Sequence, residues 1–344
     1  MLYPLIFHPI FKERVWGGRR LKELYSKELP EGATIGESWE ISDRPGDSSI
    51  IANGPLAGKD LRWLMERHPA ELLGSARAQN GRFPLLIKLL DCRDTLSLQV
   101  HPPSHKAAQL GGEPKTEMWF IADAIPGAEL FVGLKSGATA AQFRQKVHEG
   151  TVADCFHRIQ VKAGDAMFLP SGRVHALGAG MVIFEIQQNS DTTYRVFDWN
   201  RVGLDGKPRD LHIAESLESI DFEDFEPGLV SPDWMSFAIP KKNSGDGNTS
   251  TSCWEGSTSL EIRHLVQDEL FDVDLFKSNQ AATCHLRGGS LQILGLVQGG
   301  CHIRSTGGDL DLSPGQFCLI PASVHGCDVS LDPGTTLIST QPGD

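Results

Sequence analysis

Along Thr95-Leu96-Ser97-Leu98-Gln99-Val100-His101, apolar and polar side chains alternate with period two. In a strand this sends Ser97, Gln99 and His101 to one face and Leu96, Leu98 and Val100 to the other. Pro102 ends the pairing. A face of Ser, Gln and His is unlike a solvated surface, and it suits the inside of a small β-barrel that holds a ligand. Further strands are predicted over 83–90, 117–122, 157–161, 167–169 and 182–187, with shorter extended pieces at 4–7, 38–42 and 49–51. Helical spacing appears around 19–24, over 60–78 with an interruption at Pro69, and over 138–149. The second stretch is expected to cover the end of a sheet. A polar Gly/Ser-rich loop over 241–257 is followed by short strands at 271–276, 292–296, 300–303, 316–320 and 335–339, the rhythm of a sandwich or barrel. The chain is therefore read as two domains, 1–240 and 241–344.

An internal repeat supports that division. Gly164-Asp-Ala-Met-Phe-Leu-Pro170-Ser-Gly172-Arg-Val-His175 is echoed, one residue shorter, by Gly315-Gln-Phe-Cys-Leu-Ile-Pro321-Ala-Ser-Val-His325. Each copy sets a Gly turn, a buried strand and a Pro turn ahead of a His, which points to two related barrels. The first copy resembles the second motif of the cupin superfamily. That resemblance implies a mainly β fold of two double-stranded β-helix (jelly-roll) barrels, with a few helices covering the first.

Composition narrows the class. In 344 residues, 40% are hydrophobic and 22% charged, with 36 Gly and 20 Pro, an ordinary globular balance rich in turns. A formal charge of -12 without a basic run argues against nucleic acid as the partner. Seven cysteines, an odd number with no CxxC pair, fit a reducing compartment and argue against a disulfide scaffold. The apolar run Leu2–Phe7 is cut by His8, Pro9 and Lys12, so neither a signal peptide nor a membrane span is expected. These readings place the chain in the cytoplasm.

The candidate chemistry gathers on the barrel's polar face. Gln99 and His101 share one strand face, Lys115, Glu117 and Trp119 share another, and His175 follows the Pro-Ser-Gly turn. Two imidazoles, one carboxylate and one amide oxygen without a thiolate suit Zn²⁺ in an open catalytic site. The second repeat keeps His285, His302 and His325 but has no strand carrying Gln-x-His or Lys-x-Glu, so one metal per chain is expected, in the first barrel.

The segments 96–102 (Leu-Ser-Leu-Gln-Val-His-Pro), Lys115-Thr-Glu117-Met-Trp119 and 164–175 together resemble the type I mannose-6-phosphate isomerase (phosphomannose isomerase) family, in its short bacterial form. The likeness extends to Trp16-Gly17-Gly18, Glu37-Ser-Trp-Glu40-Ile-Ser, Pro84-Leu-Leu-Ile-Lys88 and Glu185-Ile-Gln-Gln-Asn-Ser-Asp191-Thr-Thr-Tyr194-Arg195-Val-Phe-Asp. It implies an aldose–ketose isomerase acting on mannose 6-phosphate and fructose 6-phosphate, with zinc on Gln99, His101, Glu117 and His175. The family's catalytic Arg falls on Arg195, its pocket lysines on Lys88 and Lys115, and its pocket Glu on Glu185. Its phosphate-binding Lys is replaced by Arg201.

Moving a proton between C1 and C2 needs a base, an electrophile and a phosphate anchor. Glu185 is a candidate base, and the same carboxylate would serve as a structural partner of Lys88 or Lys115; Asp191 is the other candidate. Ser97 and Arg201 are the candidate phosphate contacts. Trp16 and Trp119 would wall the sugar or belong to the core. Two other classes compete: a cupin enzyme of the Fe(II) oxygenase type, and a sugar-phosphate binding module without catalysis. The cations around the metal favour an anionic substrate over the first, and no effector domain accompanies the second.

Overall fold

The computed structural model describes residues 1–237, 254–256 and 260–343. Most of the predicted loop 241–257 lies outside them. The chain is mainly β, and it forms two compact units, residues 10–39 with 85–230, and residues 1–9 with 40–84 and 231–344. This differs from a boundary at 240. The helices Leu61–Arg67 and Pro69–Leu73 group with the C-terminal strands, because backbone hydrogen bonds join Ala322 N to Leu72 O and Ser323 N to Glu71 O.

Unit 10–39/85–230 carries the polar strand. Its six-stranded antiparallel sheet runs in the order Ala166–Leu169, Glu117–Ala124, Met181–Gln188, Leu85–Cys92, Ile35–Ile41, Ile10–Gly18. Its five-stranded sheet runs Phe156–Gln160, Glu129–Leu134, His175–Leu177, Leu98–Val100, Tyr194–Phe197. All residues of Leu85–Cys92 and Met181–Gln188 are buried, so these strands are covered on both faces. Alternation still sorts their side chains: Met181 and Ile183 join Trp119, Ile121 and Leu90 in one apolar cluster, and the same period puts Glu185 and Gln187 on that face. Phe184, on the other face, meets Phe120 and Tyr25 edge to ring.

In the five-stranded sheet Leu98, Val100, Ala176, Tyr194 and Val196 pack into a second cluster with Phe143 of helix Ala140–Glu149. That helix, predicted over 138–149, is capped by Thr139, whose hydroxyl accepts from Gln142 N while Thr139 N donates to Gln142 Oε1, a capping box. Helix Ile213–Ser219 was not predicted from sequence; Leu217 packs on the same cluster.

The other unit repeats the pattern with a six-stranded sheet (Met235–Phe237, Leu260–Gln267, Phe271–Ser278, Thr335–Pro342, Gln292–Gln298, Phe317–Ile320) and a five-stranded one (Trp254–Gly256, Ala282–Leu286, Cys327–Leu331, Cys301–Ser305, Gly308–Leu312). Its interior is apolar, built from residues such as Phe276, Leu294, Ile303, Cys318 and Leu337. Among the described residues the one group of three metal-ligating side chains lies in the first-described unit.

Candidate active site

Three turns of sequence chemistry converge on one point. Strand Leu98–Val100 presents Gln99 and ends just before His101 and Pro102. Glu117 opens the strand Glu117–Ala124, and His175 opens His175–Leu177 directly after the Pro170–Gly172 turn. That turn ties the three segments together: Gly172 N donates to His101 O at 2.9 Å, and Lys115 N donates to Ser171 Oγ at 3.2 Å. Gly172 has φ of +96°, and a Cβ there would stand 3.3 Å from Ser219 O, so a side chain would strain the turn.

His101, Glu117 and His175 are buried, with ligand-capable atoms within 4.8 Å of one another. His101 Nε2 lies 3.4 Å from Glu117 Oε2, and His175 Nε2 lies 3.3 Å from Oε1. Each imidazole uses its other nitrogen on a carbonyl: His101 Nδ1 on Thr192 O at 2.8 Å, His175 Nδ1 on Arg173 O at 2.9 Å. A carbonyl only accepts, so Nδ1 carries the proton in both rings and each Nε2 points a lone pair at the carboxylate. Burial, then the charge of Lys115, pushes His101 down to about 3, and burial lowers His175 as well; both rings are neutral at neutral pH. Neither Glu117 oxygen accepts a hydrogen bond of good geometry. Burial alone would raise its pKa, but Lys115, at 3.0 Å, and His101 hold it well below the usual carboxylate range. Two converging lone pairs and an anionic carboxylate in a dry pocket suit a divalent cation. Gln99 stands beside them, its amide 3.2 Å from His175 Nε2; a half-turn of that amide would present Oε1 as a fourth oxygen or nitrogen donor.

A second charged chain adjoins the first. Lys88 Nζ lies 3.3 Å from Glu185 Oε2 and 3.8 Å from Glu37 Oε2, and Trp119 Nε1 donates to Glu185 Oε1 at 3.1 Å. The register explains these neighbours, since Glu185 pairs with Lys88 on one side and with Trp119 on the other. Burial raises the pKa of Glu185 against the pull of Lys88. Glu37 also receives Trp39 Nε1 at 2.7 Å and Arg14 Nε at 2.8 Å. Burial works to raise Glu37, but Lys88, Arg14 and the Trp39 bond outweigh it and bring the carboxyl down to about 2.

This predicts an acid sensitivity with a definite sign. A carboxyl at about 2 when folded and near 4.5 when unfolded contributes fully above pH 4.5 and loses that contribution as pH falls towards 2. The contribution is of the order of 3 kcal/mol. Urea unfolding of the parent and of Glu37→Gln should therefore show a stability gap at pH 7 that narrows steadily from pH 4.5 downwards. A gap independent of pH would contradict this account of Glu37.

The residues open on a cavity of about 570 Å³, the size of a small-molecule site. Trp16, Lys88, Ser97, Gln99, Lys115, Glu185 and Arg195, all expected from sequence, line it, as do Trp119 and Asp191. His101, Glu117 and His175 lie just behind Gln99, Lys115 and Trp119. Arg201 is not among the lining residues. Its guanidinium is turned to the protein, with Nη1 on Thr95 O at 2.5 Å and Nε on Asp198 Oδ1 at 3.0 Å. Sequence reasoning missed Arg14, Glu37 and Arg209, which also line the cavity; only Glu37 had a signal, within the Glu37-Ser-Trp-Glu40 segment.

A buried His-Glu-His group behind a cavity edged with lysine, arginine and carboxylate is the construction of a metal-dependent enzyme for a polar, anionic substrate. Residues 5–146 match the family described as phosphomannose isomerase type I, catalytic domain. The chain is 38% identical over 237 residues to the mannose-6-phosphate isomerase of Streptococcus mutans, covering 69% of this chain and 73% of that protein. It is 40% identical over 223 residues to mannose-6-phosphate isomerase ManA of Bacillus subtilis, covering 63% and 68%. The crystal structure of the mannose 6-phosphate isomerase from Bacillus subtilis superposes with a TM-score of 0.81 at 31% identity, covering 98% of this chain and 99% of that one. The chain belongs to the type I phosphomannose isomerase family.

Proposed function

We infer that the protein interconverts mannose 6-phosphate and fructose 6-phosphate through an enediolate, with one Zn²⁺ per chain held by Gln99, His101, Glu117 and His175. The observation that carries the reading is the convergence of His101 Nε2 and His175 Nε2 on the buried Glu117 carboxylate, at 3.4 and 3.3 Å, beside a cavity lined by cations. A bound divalent cation supplies electrophilic stabilisation of negative charge on the sugar's reacting oxygens.

The chain's own residues supply the rest. Glu185 is the candidate for carrying the proton between C1 and C2: burial raises its pKa towards the working range of a base, and Trp119 Nε1 fixes one of its oxygens. Its ion pair with Lys88 is compatible with that role, because the neighbouring Lys88 opposes the rise that burial imposes. Asp191, also on the cavity, is the second candidate. Lys115 bridges Glu117 and the cavity, where an ammonium can hold a sugar oxygen. Trp16, buried and on the lining, offers a flat apolar wall, and Ser97 an exchangeable hydroxyl for the phosphate end.

The same reading makes each unit a jelly-roll barrel of the cupin type, with the metal in the first and none in the C-terminal one. In this account helices Ala140–Glu149 and Ile213–Ser219 cover the metal-bearing barrel. A cytoplasmic location fits six free, buried cysteines among the described residues, and no described helix is long and apolar enough to cross a membrane.

A coupled assay with mannose 6-phosphate tests the function. Turnover should vanish on dialysis against a strong chelator and return with Zn²⁺, and elemental analysis should find close to one metal per chain, lost in His175→Ala. Turnover that survives complete metal removal would sink the mechanism, and iron as the bound metal would favour the oxygenase class, whose usual ligands are also two His and one carboxylate.

A further inference from the structure

Asp198 is buried, and two guanidinium groups grip it. Arg209 donates Nε to Oδ2 at 2.7 Å and Nη2 to Oδ1 at 2.5 Å, a bidentate fork. Arg201 approaches from the other side with Nε at 3.0 Å and Nη2 at 2.9 Å from Oδ1. The two arginines differ in what they have left. Arg201 spends its Nη1 on Thr95 O and lies off the cavity. Arg209 lines the cavity, and its fork on Asp198 leaves three N–H groups, two of Nη1 and the second of Nη2. Arg195 completes the cluster: it lines the same cavity, donates Nη1 to Asp210 O at 2.8 Å and keeps a buried Nε without a hydrogen bond.

Three guanidiniums around one buried carboxylate leave a surplus of two positive charges. Asp205 and Asp210, the other carboxylates of this segment, are exposed, and Asp205, which also lines the cavity, offsets part of that surplus. A net positive charge beside a cavity suits a phosphate monoester, which carries nearly two negative charges at neutral pH. Position agrees as well. Asp198 begins a tight turn in which Trp199 and Asn200 both take positive φ, 57° and 54°, a conformation non-glycine residues adopt at a cost. Trp199 Nε1 and Arg201 Nη1 pin that turn to the carbonyls of Leu96 and Thr95, on the side of Ser97 away from Gln99. Ser97 lies between that turn and Gln99, its hydroxyl 3.5 Å from Gln99 Oε1.

We propose that Arg209 is the guanidinium that binds the substrate's phosphate, held in place by Asp198, and that Arg201 acts through Asp198 rather than on the substrate. The proposal rests on the isomerase reading above and refines its phosphate end. Asp198 and Arg201 are then positioning residues, and Arg209 a substrate-binding one.

Steady-state kinetics on the zinc-loaded enzyme test it, with inorganic phosphate as a competitive probe. Arg209→Gln should raise KM for mannose 6-phosphate and the phosphate inhibition constant tenfold or more, with a smaller fall in kcat and parent metal content. Asp198→Asn should move both constants the same way by a smaller factor, and Arg201→Gln by less than Arg209→Gln. Parent-like KM and phosphate inhibition in Arg209→Gln, or a larger effect from Arg201→Gln, would return the phosphate to Arg201 and overturn the proposal. Arg209→Lys carries the same readout if the Gln variant does not fold; it should still lose several-fold, since an ammonium cannot grip Asp198 and phosphate together. Failure of the isomerase reading is distinguishable, because a zinc-loaded parent inactive on mannose 6-phosphate would still report phosphate binding, and its dependence on Arg209, by calorimetry.

Discussion

Glu117→Gln, purified alongside the parent in the presence of zinc, is expected to retain under a tenth of the parent's metal and of its turnover. The substitution keeps the volume and removes only the charge, so its effect isolates electrostatics. His101 and His175 face the site as neutral rings, Gln99 is neutral, and Glu117 is the one anion among the four. Without it a divalent ion would sit in a dry site beside the Lys115 ammonium, now 3.0 Å from an amide instead of a carboxylate. Stranding a buried cation in this way costs about 3 kcal/mol or more, a hundredfold or greater loss of metal affinity. Gln99→Ala removes a neutral donor at the margin of the group and should lose only part of the metal. Equal metal content in the two variants would count against Glu117 as the dominant ligand.

The contrast between these residues also shows what the sequence made legible. The strand expected over 95–101 forms over Leu98–Val100, where its alternation holds: Leu98 and Val100 are buried in apolar packing while Gln99 turns to the cavity, but Leu96, expected on the apolar face with them, lines the cavity beside Trp16 and Trp119 because the chain there has left the pleat. The same period places Glu117 with Trp119 and Glu185 with Gln187. Such local patterns survive folding because the pleat imposes them. Contacts that depend on distant partners left no trace of this kind. The chain Arg14–Glu37–Lys88–Glu185 links residues from four separate strands, and nothing local to Arg14 marks it as a cavity residue. Residues 40–84 read as part of the first domain because they precede the metal strand, yet Leu72 and Glu71 find their backbone partners near residue 322. Arg201 and Arg209 look equivalent in a polar segment. Only the folded chain separates them, with Arg209 on the cavity lining and Arg201 spent on Thr95 O and Asp198.

Arg195→Ala should fold, bind zinc as the parent does, and lose a hundredfold or more in kcat/KM, about 3 kcal/mol of transition-state stabilisation. Its strand explains why folding survives: Tyr194 and Val196 point into the apolar cluster, whereas Arg195, paired in register with Gln99, projects from the opposite face to the cavity. Metal binding survives because a guanidinium cannot ligate a cation and adds only repulsion to the site. What the variant lacks is a fixed positive group at the wall where charge develops on the sugar oxygens. Burial lowers the pKa of Arg195, and Arg209 adds to this, but a guanidinium still remains charged throughout the working range, so its loss should depress the rate at every pH without moving the profile. The kinetic pattern separates it from Arg209: a phosphate anchor affects KM most, whereas a group that meets developing charge lowers kcat along with kcat/KM. Arg195→Lys should recover little, since an ammonium does not reproduce the planar fork that reaches Asp210 O and the cavity together. Near-parent turnover by Arg195→Ala would reduce the residue to a support for the 198–212 segment and leave the enediolate's charge to the metal and Lys115.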